Sequence, residues 1–501
     1  MAVLGLAVAG AGVRLWPRSA LWLDEAQSVS FARLPLLDVA PALREDGAPP
    51  LYYLLLHGWI RVFGNGDAAV RSLSAALSLA AVAVAAVAAR RLGGPRAAVG
   101  LACVMLLNPF AVRYGAEARM YSLVMLEVAA GLVLLERAAR EQPAPGRRTL
   151  AGIALVTAAL LYTHYWSIYL LGATAAAVLI AVAGRQRRRG RWLRVLAAMA
   201  AGGVLWLPWL PTFRFQSQRT GTPWSSEPQI VNPFSAATRG APSGADAATL
   251  ALSIALGALA LVAVLAALRA LRARRTRPAA DRAVLVTASV VVACAALATI
   301  GARLSDSATS PRYTSVMFPL VMVLAGIGLA ALPTRWLRAS GAAVVLALSA
   351  ALVVNEIDTP RTRAQVVHAA LASRARPGDL VVYCPDQLGP ALERLIERDG
   401  PSGVDQAVFP AGSAPERVDW IDYEQRYADA APAAAAARWH AAAGASTVYL
   451  VWSATYPPTQ RPCSELARAL ARRRPGSREL VADDPRVADH AALWSFPGST
   501  P

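Results

Sequence analysis

A mainly α-helical polytopic membrane protein of about eleven transmembrane helices, ending in a small extracytoplasmic α/β domain, is the fold class the sequence predicts. Three observations carry it. The 501 residues are 56% hydrophobic and only 16% charged, against the roughly 25% usual for soluble domains, which excludes a wholly soluble enzyme. Apolar windows of transmembrane length recur over residues 1–355. Intensely basic loops alternate with weakly charged ones between those windows.

A membrane span needs about 20 mostly apolar residues. The first candidate, 1–13, is short before Arg14 interrupts it, and without a basic start it does not read as a signal peptide. The chain start is therefore expected to fall inside the first helix. Weaker spans follow at 68–89, 97–112, 120–135, 149–162, 167–183 and 195–210. Residues 249–268 and 283–302 carry no charge at all, and 316–332 and 340–354 complete the set.

Arginine enrichment marks cytoplasmic loops. Loops 90–96, 136–148, 185–194, 269–282 and 335–338 are thereby placed inside, and 17–67, 113–119, 163–166, 211–246 and 303–313 outside. The N-terminus is then cytoplasmic and everything after Asn355 extracytoplasmic. All 50 basic residues are Arg, and the inner loops hold 21 of them against Glu136, Glu141 and Asp281, which accounts for the whole net charge of +18. The basic balance is a topology signal pinned to the inner leaflet, and nucleic acid is not a partner.

From residue 356 the composition becomes that of an ordinary globular domain, 356–501, distinct from the transmembrane domain 1–355. Short β-branched and aromatic runs at 379–384 and 446–453 read as buried strands, and 364–373, 390–398, 433–443 and 464–473 as helices. Strands alternating with helices suggest an α/β layer. Cys384 and Cys463 lie on the oxidising side, where a disulfide between them and two separate thiols are both open. Cys103 and Cys294 fall in spans and read as packing residues.

Ionisable residues at the outer membrane face are informative because burying charge there is costly. Asp24 and Glu25 form a carboxylate pair soon after the first span; they read either as helix-capping acids or as a general base with its neighbour. Glu45-Asp46-Gly47-Ala48-Pro49-Pro50-Leu51-Tyr52-Tyr53 combines acids, aromatics and a Pro-Pro pair that restricts the returning chain. Arg113-Tyr114-Gly115-Ala116-Glu117-Ala118-Arg119-Met120-Tyr121 places two arginines where positive-inside statistics disfavour them, and Arg71 and Arg312-Tyr313 also point outward. Convergent guanidinium and phenol groups suit a phosphate. His57 and the Thr163-His164-Tyr165-Trp166 turn are less specific. Neither a Gly-rich phosphate loop nor a zinc-type Cys/His spacing is present.

Taken in order along the chain, these pieces resemble the GT-C superfamily of polytopic glycosyltransferases, in particular bacterial relatives of protein O-mannosyltransferases and of lipid A aminoarabinose transferases. The resemblance spans residues 1–355. It rests on Asp24-Glu25, Pro49-Pro50 through His57, Val62-Phe63-Gly64, Ala69-Val70-Arg71, Asn108-Pro109, Glu117 to Tyr121, Thr163-His164-Tyr165 and Pro311-Arg312-Tyr313. Ala48 is a departure, because many relatives carry a His there.

The resemblance implies transfer of a mannose-like sugar from a polyprenyl-phosphate donor to an extracytoplasmic hydroxyl, with inversion. It makes Asp24 the general base, with Glu25 and Glu117 orienting substrate, and assigns the donor phosphate to Arg71, Arg119, Arg312 and Tyr313. Substrate contacts would come from Tyr52, Tyr53, His57, Tyr121 and His164, and a divalent cation, Mg or Mn, could be shared by Asp24 and Glu25. Partners would be the lipid donor, membrane lipids and a glycan, lipid, protein or secreted natural-product acceptor, with 356–501 on the acceptor side. The rivals are a transporter or flippase of lipid-linked saccharides and a noncatalytic scaffold. A transporter would favour charges deep in the spans, where Glu127 is the main example.

Overall fold

The structure is a computed structural model describing residues 2–16, 19–184, 188–221, 230–236, 247–273, 278–305, 309–412, 414–456 and 458–498. Parts of the loops 17–67, 185–194, 211–246, 269–282 and 303–313 lie outside those residues. In chain order the first helices are α1 (Ala2–Arg14), α2 (Leu23–Arg33), α3 (Leu36–Ala42), α4 (Leu51–Phe63), α5 (Asp67–Gly93), α6 (Pro95–Met105) and α7 (Pro109–Gly115). Next come α8 (Tyr121–Arg140), α9 (Arg147–Thr163), α10 (Ser167–Gly184), α11 (Arg189–Trp206), α12 (Leu210–Arg219), α13 (Pro233–Ala236), α14 (Ala247–Arg272), α15 (Pro278–Leu304), α16 (Phe318–Ala331) and α17 (Arg335–Asp358).

Helix covers nearly all of each apolar segment read from the sequence, where about eleven spans are expected. Among the described residues six helices are long and apolar enough to cross a membrane, or seven if the bent α6–α7 pair is one span. The remaining apolar helices are shorter or carry more charge. α1, α9 and α16 have 13, 17 and 14 residues. α8 has the length but carries Glu127, Glu136, Arg137 and Arg140.

The 97–112 segment is broken by 68°. Pro109 has no N–H to continue the ladder, and the Asn108 side chain accepts from Phe110 N at 3.0 Å and Ala111 N at 3.4 Å, starting a new helix. The break frees the Leu106 carbonyl. Arg14, fully buried, donates to it at 2.8 Å, to Gly10 O at 2.7 Å and to Ser78 Oγ at 3.0 Å. The arginine that shortens the first apolar window thus satisfies the backbone of the kink.

Packing around α16 sets the bundle's centre. It is apolar all round and buried over most of its length, as such a helix must be. At Gly100 a Cβ would lie 2.6 Å from Gly326 O, so the absence of a side chain lets α6 and α16 touch through their backbones.

The C-terminal part adds α18 (Ala364–Ala372), β1 (Leu380–Cys384), α19 (Gly389–Asp399), β2 (Asp405–Val408), α20 (Tyr423–Ala428), α21 (Pro432–Ala443), β3 (Val448–Trp452), α22 (Gln460–Arg473), β4 (Arg478–Val481) and β5 (Ala492–Phe496). Its five-stranded sheet has the order β2-β1-β3-β5-β4. β1 runs parallel to β2 and β3, whereas β5 is antiparallel to β3 and β4. Every residue of β1 is buried, the pattern of a strand covered on both faces. Cys384, at the end of β1, is bonded to Cys463 on α22.

This sheet unit is clasped to the helices that carry the site. Arg33 forms a two-bond pair with Glu397, at 2.6 and 2.7 Å. Arg394 bonds Asp67 and Asn65 O, Trp420 N donates to Glu45 O at 3.0 Å, and Gln27 Oε1 accepts from Val418 N at 3.1 Å. Asp489 reaches across to the start of α2, accepting from Leu23 N at 3.4 Å and from Thr362 Oγ1 at 2.9 Å.

Two predictions follow from this clasp and its disulfide. Closing a loop of 79 residues contributes roughly 2–4 kcal/mol, so the Cys384→Ser/Cys463→Ser double variant should unfold at correspondingly lower denaturant, read by the near-ultraviolet signal of the sheet's tryptophans. Burial lifts the Asp489 carboxyl to about 6, against hydrogen bonds from Thr362 and Leu23. Between pH about 4 and about 6 the folded chain then holds a proton that the unfolded chain has released, so stability falls as pH rises through that window. Asp489→Asn keeps an accepting oxygen and should flatten this slope in thermal unfolding; an unchanged slope would refute the assignment.

Candidate active site

The first turn of α2 supplies the two adjacent acids, and the structure sends them in different directions. Glu25 turns inward and is fully buried. Its Oε1 accepts from Arg71 Nε at 2.7 Å and from Ala118 N at 2.9 Å, and its Oε2 accepts from Arg71 Nη2 at 2.5 Å. Burial pushes this carboxyl up, but Arg71 outweighs it and holds the group below its ordinary value. Asp24 turns away from Glu25 and stays partly exposed, with Oδ2 accepting from Arg312 Nη1 at 2.7 Å and Arg119 Nε 3.8 Å away.

Arg119 sits between two acids. Its Nη1 donates to Tyr53 Oη at 2.9 Å and to Ser28 Oγ at 3.2 Å, and lies 4.0 Å from Asp46. Asp46 in turn accepts from Tyr53 Oη at 2.6 Å and from Gln27 Nε2 at 2.6 Å. Burial raises its carboxyl, only partly offset by Arg119. Asp24, Arg119, Arg312, Tyr53 and Asp46 therefore form one connected polar group drawn from α2, α4, the loops before α4 and α8, and the 3-10 turn Pro311–Val316.

An aromatic wall adjoins that group. Tyr121 and Tyr313 lie 5.8 and 5.3 Å from the His164 ring, and Trp166 lies 5.1 Å from Tyr313. Burial, with Arg119 and Arg312 nearby, pushes the His164 imidazole down to about 3. It stays neutral, and because Nδ1 accepts from Trp166 N at 3.1 Å the proton sits on Nε2.

Four expected site residues are placed elsewhere. Arg71 is 2% exposed and spends its guanidinium on Glu25 and on the carbonyls of Ser19 and Ala20, at 2.8 and 3.0 Å, so it has no face left for a donor phosphate. Tyr52 is buried with its hydroxyl 2.9 Å from Ser74 Oγ, and His57 Nδ1 lies 2.9 Å from Ala32 O, bracing α4 against α2. Glu117 is 1% exposed and lies 3.5 Å from Arg113 and 3.7 Å from Arg361, its carboxyl raised by burial. Glu127, the deep charge in α8, accepts from Thr163 Oγ1 at 2.9 Å.

The shared cation is also not supported by the geometry. Glu25 is enclosed by Arg71 while Asp24 points to Arg312, so the two carboxylates do not converge. Among the described residues no group of three or more His, Cys, Asp or Glu is placed to hold a metal ion. Two residues of these networks went unselected in the sequence. Asp46 had a signal, as an acid before a Pro-Pro turn beside Tyr53; Asp489 had none, since its partner Leu23 is 466 positions away.

Comparison with known proteins bears on the fold. The model of the dolichyl-phosphate-mannose-protein mannosyltransferase family matches residues 47–210. No curated protein matches in sequence. ArnT from Cupriavidus metallidurans in the apo state superposes with a TM-score of 0.64 at 15% identity, covering 99% of both chains. The same protein bound to undecaprenyl phosphate gives 0.60 at 17% identity, covering 100% of this chain and 98% of that one. The arabinofuranosyltransferase AftD from Mycobacteria gives 0.54 at 15% identity, covering 99% of this chain and 40% of its own. With these likenesses joined to the ordered motifs from Asp24 to Tyr313, the chain is a polytopic membrane protein with the fold of the GT-C superfamily of glycosyltransferases.

Proposed function

We propose that this protein is a membrane glycosyltransferase that moves a mannose-like sugar from a polyprenyl-phosphate donor to an extracytoplasmic acceptor hydroxyl, inverting the anomeric carbon. The observation that carries the reading is the convergence of Asp24 with Arg119 and Arg312, residues up to 288 positions apart, at the partly exposed mouth of an otherwise buried polar group.

The groups suit one displacement step. Asp24 takes the proton of the acceptor hydroxyl, whose oxygen attacks the anomeric carbon opposite the phosphate. The bond from that carbon to the phosphate oxygen breaks, and the leaving phosphate carries its electron pair toward Arg312 and Arg119. A β-linked donor would give an α-linked product. In the resting structure Arg312 is held by Asp24 itself; a donor phosphate would compete for that guanidinium and release the carboxylate to act as base. Glu25, fixed by Arg71, acts as a positioning residue for its neighbour, and no step is routed through a metal ion.

Orientation follows from where the arginines stand. α5 and α8 end in Arg90, Arg91, Arg137 and Arg140, and α9, α11 and α17 begin in arginines. Asp24's partners instead stand just before α8 and α16, as Arg119 and Arg312. The positive-inside rule supports a cytoplasmic N-terminus with the site outside. Residues 356–501 form the acceptor-side unit in this reading, the acceptor being a glycan, lipid, protein or secreted natural product.

Asp24→Asn should lower turnover by about 10²-fold or more, the range of a lost general base, with donor affinity retained. Near-normal turnover on a polyprenyl-phosphate mannose would sink the assigned role. Arg312→Ala removes a charge-assisted contact of about 1.5–3 kcal/mol, so equilibrium binding of the same donor should weaken by roughly 10- to 100-fold. An unchanged donor affinity would exclude Arg312 from the phosphate site.

A further inference from the structure

A cavity of about 450 Å³ lies among α8, α9, α10, α11 and α15, away from the polar group around Asp24. That volume is within the range of ligand pockets, roughly 300–1,000 Å³. Its walls are almost wholly apolar. Val128, Leu160, Leu170 and Leu320 line the end nearer the candidate site, and Arg140, Arg188 and Arg282 line the other. Along α8, Tyr121 and Arg140 are separated by about 28 Å at 1.5 Å per residue, so the cavity follows the bundle toward its basic end.

The geometry points to this cavity as a binding site for an anionic two-chain phospholipid of the leaflet at the basic end. Inside a bilayer an apolar hollow between helices is filled by acyl chains. The charge at its mouth selects the head group. Glu136 is neutralised by Arg91 at 3.0 Å and by Arg140, whereas Arg188 and Arg282 are exposed and have no ion-pair partner among the described residues. A lipid phosphate seated there meets two free guanidiniums, the group best shaped for it. Trp192 lines the same end, as an interfacial tryptophan does. The polyprenyl donor is the poorer match, because its phosphate belongs with Arg119 and Arg312 at the opposite end.

Trp192 also supplies the readout. The purified chain is reconstituted in phosphatidylcholine vesicles containing acyl-brominated phosphatidylglycerol or acyl-brominated phosphatidylcholine, and tryptophan quenching is followed against mole fraction, with Trp192→Phe defining the local component. That component should quench at a lower mole fraction of phosphatidylglycerol than of phosphatidylcholine. The Arg188→Gln/Arg282→Gln double variant should raise the phosphatidylglycerol fraction needed by roughly five-fold or more, as expected for loss of basic residues near an anionic surface. Gly131→Leu, which fills the cavity while leaving both arginines, should abolish the preference. Identical curves for the two lipids, a preference that survives Gly131→Leu, or relief of phosphatidylglycerol quenching by added undecaprenyl phosphate would each overturn the assignment.

Discussion

The Glu25–Arg71 pair holds the site together, and its force comes from burial. Neither side chain is more than 2% exposed, so removing one partner would leave an uncompensated charge in a dry interior, at a cost of about 3–5 kcal/mol. Because the pair is fully hydrogen-bonded, it is directional. Arg71 fixes α5 to Glu25 on α2 and to the chain entering that helix at Ser19 and Ala20, and Glu25 fixes the loop before α8 through Ala118 N. Asp24 and Arg119 are the immediate sequence neighbours of those anchored points. The outward carboxylate and the guanidinium facing it are placed by contacts that neither of them makes.

A second network fastens the C-terminal sheet to the same points. Arg361 donates to Ala116 O at 3.0 Å and lies near Glu117, while Arg113 bonds Glu356 at 2.5 Å. Asp489 closes the start of α2 from the other side. The sheet unit is thus connected to both flanks of the candidate site. Glu117 belongs to this network, which explains why an acid in a motif with Arg119 and Tyr121 is buried while they reach the polar group or the wall beside it.

Hydrophobic windows made most of the bundle legible, because a helix in lipid announces itself by length and lack of charge. What they could not show was a break inside a segment: α6 and α7 read as one straight helix because apolar content does not register the turn at Asn108-Pro109. In the C-terminal part β1 and β3 were readable as buried central strands. β2 and β4, at the two edges, include exposed positions, so Asp405–Val408 and Arg478–Val481 lack an apolar run. The roles of arginines were the least legible. Arg71, Arg119 and Arg312 are equivalent as sequence, and only the distances to Glu25 and Asp24 separate the one that builds the fold from the two that meet Asp24.

Charge conservation gives the proposed transfer a further constraint. At the resting opening two carboxylates, Asp24 and Asp46, stand against two guanidiniums, Arg119 and Arg312. A polyprenyl phosphosugar brings one negative charge as a phosphodiester. During displacement Asp24 becomes neutral as it takes the proton, and the departing phosphate gains the charge that Asp24 loses. The total within the opening stays constant while its centre moves from Asp24 toward the lipid. Arg312, 2.7 Å from Asp24 at rest, is placed to follow that movement with a small rotation rather than a rebuilt network. Neutral His164 and the tyrosines beside it adjoin Arg119 and Arg312, so in the proposed transfer the pull on the leaving oxygen comes from these two guanidiniums, one of them the group that the base has let go.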